Sequence, residues 1–226
     1  MALRTFHPCA FNFRTTNTRR VGNVTDGGTS LSGFQDDIES DGGGRWQADF
    51  TNGSTRDKAA GNAWRAITDF DGGEAIIVLL CSERLFQPVG AMATVPHSDS
   101  TPFGDDSEYE SGGGSYTAAA DAALRATSLL ISGTSELPLI GGELFSILHE
   151  NWGWRAYRIH SVDGANITFR PPLREAITAG TSLEFDTPRC QMKRLAAVDN
   201  TLDMGRLGSC SISFGEDMRP PAPVEP

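Results

Sequence analysis

Few residues in this chain have the type and spacing that chemistry needs. His149-Glu150 starts like a zinc-protease helix, H-E-x-x-H, in which two imidazoles on one helical face bind the metal and the glutamate acts as base. The second histidine would stand at position 153, which is Gly153, and Trp152-Gly153-Trp154 is turn and strand material. The pair therefore reads as a solvent-exposed hairpin loop. Cys190 with His149 or His160 could make a thiol–imidazole pair, which asks only for proximity in space. Yet Pro188-Arg189-Cys190-Gln191-Met192 reads as a strand, not as the helix N-terminus that lowers a thiol pKa. No glycine run matches a phosphate-cradling loop or a dinucleotide fingerprint. The sequence predicts no catalytic residue, no metal site and no cofactor, and so a protein that is not an enzyme.

Two groups of side chains could bind rather than react. Asp105, Asp106, Glu108 and Glu110 supply the hard oxygens that calcium prefers. The EF-hand pattern is not met, because glycines follow the cluster instead of dividing it, and a solvated, self-repelling loop is the better account. Trp152, Trp154, Tyr157 and Phe169 could form a sugar-stacking platform. Tyr157 and Ile159 alternate with Arg158, however, so most of these rings read as core, and Trp152 and Trp154 remain the candidates for glycan contact.

Composition narrows the field further. The chain has 226 residues, long enough for one large or two small domains, and its 29 acids against 19 Lys plus Arg give a net charge of −10. That balance argues against sequence-specific nucleic-acid binding, which rests on cations that neutralise phosphates. The longest apolar run, residues 75–81, is far short of the roughly 20 residues of a spanning helix, and the N-terminus has no apolar stretch of a signal peptide. Membrane insertion is therefore not expected. Cys9, Cys81, Cys190 and Cys210 show no C-x-x-C spacing and read as reduced, buried thiols, although a Cys9–Cys210 pairing between terminal strands stays open.

The elements that would position these residues are mostly short strands. Twenty-five glycines, twelve prolines and 8% aromatics point to a turn-rich β protein. Phe11-Asn12-Phe13-Arg14-Thr15 has strand periodicity, and residues 30–36 and 45–50 flank Asp41-Gly42 as a hairpin would, with Trp46, Ala48 and Phe50 on one face. Ser54 or Thr55 can cap a helix near 55–70 whose Ala60, Ala63, Trp64 and Ile67 share one side. The run 75–81 reads as a buried strand. Residues 97–116 form an acidic, Gly-rich loop or linker, and 117–126 is an alanine-rich stretch open to helix or strand. Strands follow near 128–132, 143–147, 154–159, 166–170 and 181–185, with Asp163-Gly164 as a tight turn and one helical turn in 173–179. A last strand, 209–214, precedes a Pro-rich tail, 216–226, expected to be disordered. The fold class is thus mainly β with one or two short helices. The expected organisation is an N-terminal β module over 1–96, the linker 97–116, and a barrel- or sandwich-like module over 117–215 whose terminal strand can complete the N-terminal sheet.

Three stretches carry a family resemblance. The first is Ser30-Leu31-Ser32-Gly33-Phe34-Gln35, with Gly43-Gly44-Arg45-Trp46 and Ala63-Trp64-Arg65-Ala66 leading to Gly72-Gly73-Glu74-Ala75-Ile76-Ile77-Val78. The second is Gly142-Glu143-Leu144-Phe145-Ser146-Ile147 with Trp154-Arg155-Ala156-Tyr157-Arg158-Ile159. The third is Ile167-Thr168-Phe169-Arg170-Pro171-Pro172-Leu173-Arg174-Glu175-Ala176, then Phe185-Asp186-Thr187-Pro188-Arg189-Cys190-Gln191-Met192. With these the chain resembles distal-tail and other minor tail proteins of long-tailed, non-contractile bacteriophages and gene transfer particles. The resemblance implies a tail-tube-like β sandwich plus an outer β module. It further implies a structural virion protein, assembled in the host cytoplasm, that forms a ring with itself, often a hexamer, between the tail tube protein and the tip or baseplate hub. An acidic lumen would keep passing DNA from sticking, and Asp105, Asp106, Glu108 and Glu110 are the candidates for that lumen or for a subunit contact. A carbohydrate- or receptor-binding tail-tip module is the alternative, with Trp152, Trp154 and the loop 97–116 as its surface. A cell-wall hydrolase is a distant third.

Overall fold

The computed structural model describes residues 4–22, 24–29, 31–33, 35–39, 43–55, 58–69, 74–80, 88–95, 101, 109–113, 115–134, 138–196 and 208–220. In chain order the strands of the first part are β1 (Thr5–Phe6), β2 (Thr15–Val21), β3 (Val24–Thr29), β4 (Gln35–Glu39), β5 (Arg45–Ser54) and β6 (Ala75–Leu79). A helix, α1 (Lys58–Thr68), lies between the last two. Then come β7 (Val89–Val95), β8 (Tyr109–Gly113), β9 (Ser115–Ala118), β10 (Ser128–Thr134), β11 (Leu144–His149), β12 (Gly153–Asp163), β13 (Asn166–Arg170), β14 (Ser182–Leu183), β15 (Arg189–Arg194) and β16 (Ser209–Glu216). The protein is mostly β, with a curled sheet in one compact unit and a nearly closed, barrel-like sheet in the other.

The two units are interleaved along the chain. The first comprises residues 1–82, 150–155 and 189–226; the second comprises 83–149 and 156–188. This differs from a split into 1–96 and 117–215 in that β7 falls in the second unit and β15 joins the first, whereas the terminal strand β16 completes the N-terminal sheet as expected. Pairing decides the matter, because β15 takes β6 as an antiparallel neighbour and β16 takes β5.

The first sheet runs β1-β6-β15-β16-β5-β2, all antiparallel except the short parallel pair of β1 with β6. Trp46, Ala48 and Phe50 alternate inward along β5, as period-2 geometry requires. Its partners are β2 and β16, though, not the preceding run, and β4 pairs with β3 instead. The expected hairpin across residues 41–42 is thereby replaced by long-range pairing. Likewise the expected strand at 11–15 is a 3-10 turn, Pro8–Phe11, after which Asn12 turns the chain with a φ of 46°. That turn feeds an aromatic core in which Phe6 meets Phe11, Phe50 and Phe214 at ring-centroid distances of 5.6, 5.6 and 4.9 Å. Helix α1 adds Trp64, edge-on to Phe11 at 5.6 Å. Ala60 and Trp64 are buried and Ile67 half-buried, while Ala63 faces out, so the buried stripe is narrower than expected. Thr55 bonds the Gly208 carbonyl, and the far end of the helix is closed by Arg194, whose guanidinium donates to the Ile67 and Thr68 carbonyls at 3.4 and 3.1 Å. A cation there also favours the negative end of the helix dipole.

The second sheet runs β11-β12-β13-β10-β9-β14. An isolated bridge, with Ser146 and Glu184 exchanging both backbone bonds at 2.9 Å, joins β11 to the residue after β14 and brings the ends of the sheet together. Phe145 sits inside, with Tyr157, Phe169 and Phe185 at 5.5, 5.6 and 5.4 Å. Residues 117–126 are not helical. After β9 their amides reach the carbonyls of Leu130, Ile177 and Leu173 across the barrel, in place of local helical bonds. Residues 173–179 are similarly drawn into a bridge between Ala122 and Ile177 instead of a helical turn.

Cys9 is disulfide-bonded, whereas Cys190 and Cys210 are buried free thiols. The expectation of reduced thiols holds for those two and fails for Cys9, and the Cys9–Cys210 pairing does not form. Burial pushes the Cys210 thiol up to about 11.

Candidate functional site

The residues singled out from the sequence do not converge. Asp105, Asp106 and Glu108 lie outside the described residues. Glu110 is not in a loop: it belongs to β8, opposite Thr94 of β7. Trp152 and Trp154 are both half-buried, and each has an arginine on its ring. The Arg155 guanidinium carbon is 5.7 Å from the Trp152 centroid, and that of Arg189 is 4.7 Å from Trp154. Such stacking is a cation–π contact that occupies the ring face a sugar would use. The Cys190 thiol is buried and reaches the Gln191 carbonyl at 3.7 Å. His160 is exposed on β12.

His149 is the clear correction. It is buried, not solvent-exposed, because β11 places it in register with Phe145 and Ile147 on the inward face. Its Nε2 lies 2.7 Å from the Tyr157 hydroxyl, which also accepts the Arg174 amide hydrogen at 3.1 Å. The other ring nitrogen, Nδ1, lies 4.0 Å from Glu175 Oε2. The Tyr157 hydroxyl thus joins His149 Nε2 and the Arg174 amide in hydrogen bonds within the core. Period-2 counting forward from Phe145 through Ile147 was the signal that could have found it.

A second buried constellation lies in the first unit. The Arg155 side chain is fully buried, and so is that of Glu216, with Nη1 to Oε1 at 3.6 Å. The other Glu216 oxygen accepts the Trp46 amide at 3.1 Å. Arg155 Nε donates to the Trp152 carbonyl at 2.9 Å, Nη1 to the Asp217 carbonyl, and Nη2 to the Arg219 carbonyl at 3.3 Å. Gln191 donates to that same Arg219 carbonyl at 3.0 Å. A buried charge needs this many partners, since losing water costs several kcal/mol per ion. Asp217 is buried too. Burial by itself raises its pKa, but the side-chain and backbone hydrogen bonds from Arg219, with the charges of Arg219 and Lys193, outweigh that and hold its carboxyl below the usual range. Residues 216–220 are therefore tied down, against the expectation of a disordered tail from 216; residues 221–226 lie outside the described residues. Arg155 could have been flagged, since it shares its strand face with Tyr157 and Ile159.

The first sheet ends in an exposed strand. β2 pairs with β5 on one side, and among the described residues no further strand follows it in the sheet order. Five of its seven residues are exposed and two half-buried. Its outward amides and carbonyls form the kind of row on which another chain can add a strand. Among the described residues no group of three or more His, Cys, Asp and Glu is placed to hold a metal, and no helix is long and apolar enough to cross a membrane. Comparison with family models and with curated proteins finds no match for the chain.

Proposed function

We propose that this protein is a structural virion protein of a phage tail, a distal-tail ring component that joins the tail tube to the tip hub and performs no catalysis. The observation that carries the reading is the outer edge of β2, beside which no further strand lies among the described residues, whereas the sheet of the other unit nearly closes on itself. Closed rings arise when a heterologous contact repeats around an axis, and an open sheet edge offers such a contact through backbone hydrogen bonds. The three sequence stretches that resemble distal-tail proteins support the same assignment. The net charge of −10 suits a passage through which DNA must slide without adhering.

The test is the state of assembly. Native mass spectrometry and negative-stain imaging of the purified chain, alone and mixed with a tail tube protein, should show a ring with a central hole. Placing Pro at Asn17 or at Thr18, neighbouring positions of β2 whose N–H groups point to opposite sides of the strand, should block assembly at whichever of the two faces outward. A chain that stays monomeric with and without the tube protein would remove the reading.

A further inference from the structure

The end of the first sheet carries a cleft of about 470 Å³ whose lining is unlike the rest of the chain. Arg45 and Lys193 flank it, Val21 and Leu195 supply exposed apolar surface, and Trp46 and Glu216 form part of its wall. Register explains the hollow. Gly215 sits opposite Gln47 on β5 and opposite Lys193 on β15, so the row of side chains across this face has a gap at its centre. Leu195 leans over that gap: a Cβ at Gly215 would come within 2.7 Å of its Cδ2. Glu216 is buried and already paired with Arg155 and the Trp46 amide, which leaves the two cations to set the charge of the cleft. Neither Arg45 nor Lys193 makes an ion pair among the described residues, in contrast to Arg19 on the neighbouring strand, which holds Asp49 at 3.1 Å.

In a chain with ten more negative than positive charges, two cations with no carboxylate in ion-pair contact among the described residues, of which Lys193 also acts at longer range on Asp217, beside paired apolar side chains specify an acidic ligand with an apolar anchor. The chain itself contains one. Residues 99–108 hold Asp99, Asp105, Asp106 and Glu108 around Phe103, and no Lys or Arg occurs between Arg84 and Arg125. The geometry points to this cleft as the docking site for segment 99–108 of a second copy of the chain. The inference rests on the ring reading, because assembly is what brings a second copy's segment to the cleft.

A synthetic peptide of residues 99–108 titrated into the purified protein by calorimetry tests it directly. Saturable binding is expected, weakening as salt screens the charges. It should fall at least tenfold for the Arg45→Glu/Lys193→Glu protein and for a peptide with Asn and Gln in place of its acids. Arg45→Gln/Lys193→Gln, with an unchanged melting temperature, separates lost charge from lost fold. No binding, or equal binding to the charge-reversed protein, overturns the inference. A ring that assembles equally well from the charge-reversed protein overturns it too, while leaving the ring reading intact. Peptide binding without any ring removes the ring reading and keeps the cleft as a site for the acidic segment.

Discussion

In the barrel-like unit, Ser146 and Glu184 exchange two backbone hydrogen bonds and bring the last strand against the first; in the other unit the sheet runs out at β2, whose outer edge has no strand beside it among the described residues. Both units carry dense aromatic cores, one around Phe145 and one around Phe6, so apolar burial does not separate them. What separates them is the disposal of backbone polar groups. The closing sheet satisfies its own, and the open one leaves a row for water or for another chain. The polar core groups differ in the same sense. The barrel holds a Tyr157–His149 pair, whereas the open unit buries an ion pair, Arg155–Glu216, that anchors residues 216–220 against residues 150–155.

If the ion pair holds the open unit together, its removal should have the largest effect. Arg155→Ala leaves the Glu216 carboxylate buried and uncompensated, and urea unfolding should show a loss of about 3–5 kcal/mol. The double change Arg155→Met/Glu216→Leu should recover most of that; a single-variant loss below about 1 kcal/mol would break the contrast between the units. Next comes packing in the open sheet. A Cβ on Gly53 would lie 2.5 Å from both the Cys210 sulfur and the Phe13 ring, so Gly53→Ala should cost about 1–3 kcal/mol in thermal or chemical unfolding.

A smaller effect is expected in the barrel. Tyr157→Phe strips the partner from His149 Nε2 and from the Arg174 amide, and should cost about 1–2 kcal/mol. Nuclear magnetic resonance of the imidazole should show the loss of the Nε2 hydrogen bond, with no shift in the first unit's signals. The least effect is the pH dependence of Asp217. Its folded pKa is depressed, so its contribution is complete above the unfolded value of about 3.9 and is lost as pH falls through the folded value. Stability measured against pH should fall below about pH 4 with a shallower slope in Asp217→Asn. Arg219 is largely exposed, which keeps the effect small.

Much of the fold was legible because it depends on local period. The inward triplet Trp46, Ala48 and Phe50, helix α1, the β12–β13 turn at Asp163-Gly164 and the strands β10, β11 and β13 all follow from alternation, helical spacing and turn residues. The same counting contained His149 and Arg155, each in step with two core residues, but a charged or polar type outweighed its register in the reading. The β1 and β16 segments could be assigned to one sheet, yet not to places separated by β6 and β15.

By itself, then, the sequence determined a mainly β protein with one or two short helices, the faces of most strands, and the want of any local motif for catalysis. Only the tertiary structure decided which strands pair, that the units interleave, that one sheet nearly closes while the other ends at β2, and that Arg45 and Lys193 flank one cleft. The physical reason is range. Period and turn chemistry act over two to four residues, whereas Ser146–Glu184, Arg155–Glu216 and the β5–β16 ladder join residues far apart in the chain, chosen by the joint packing of the whole core.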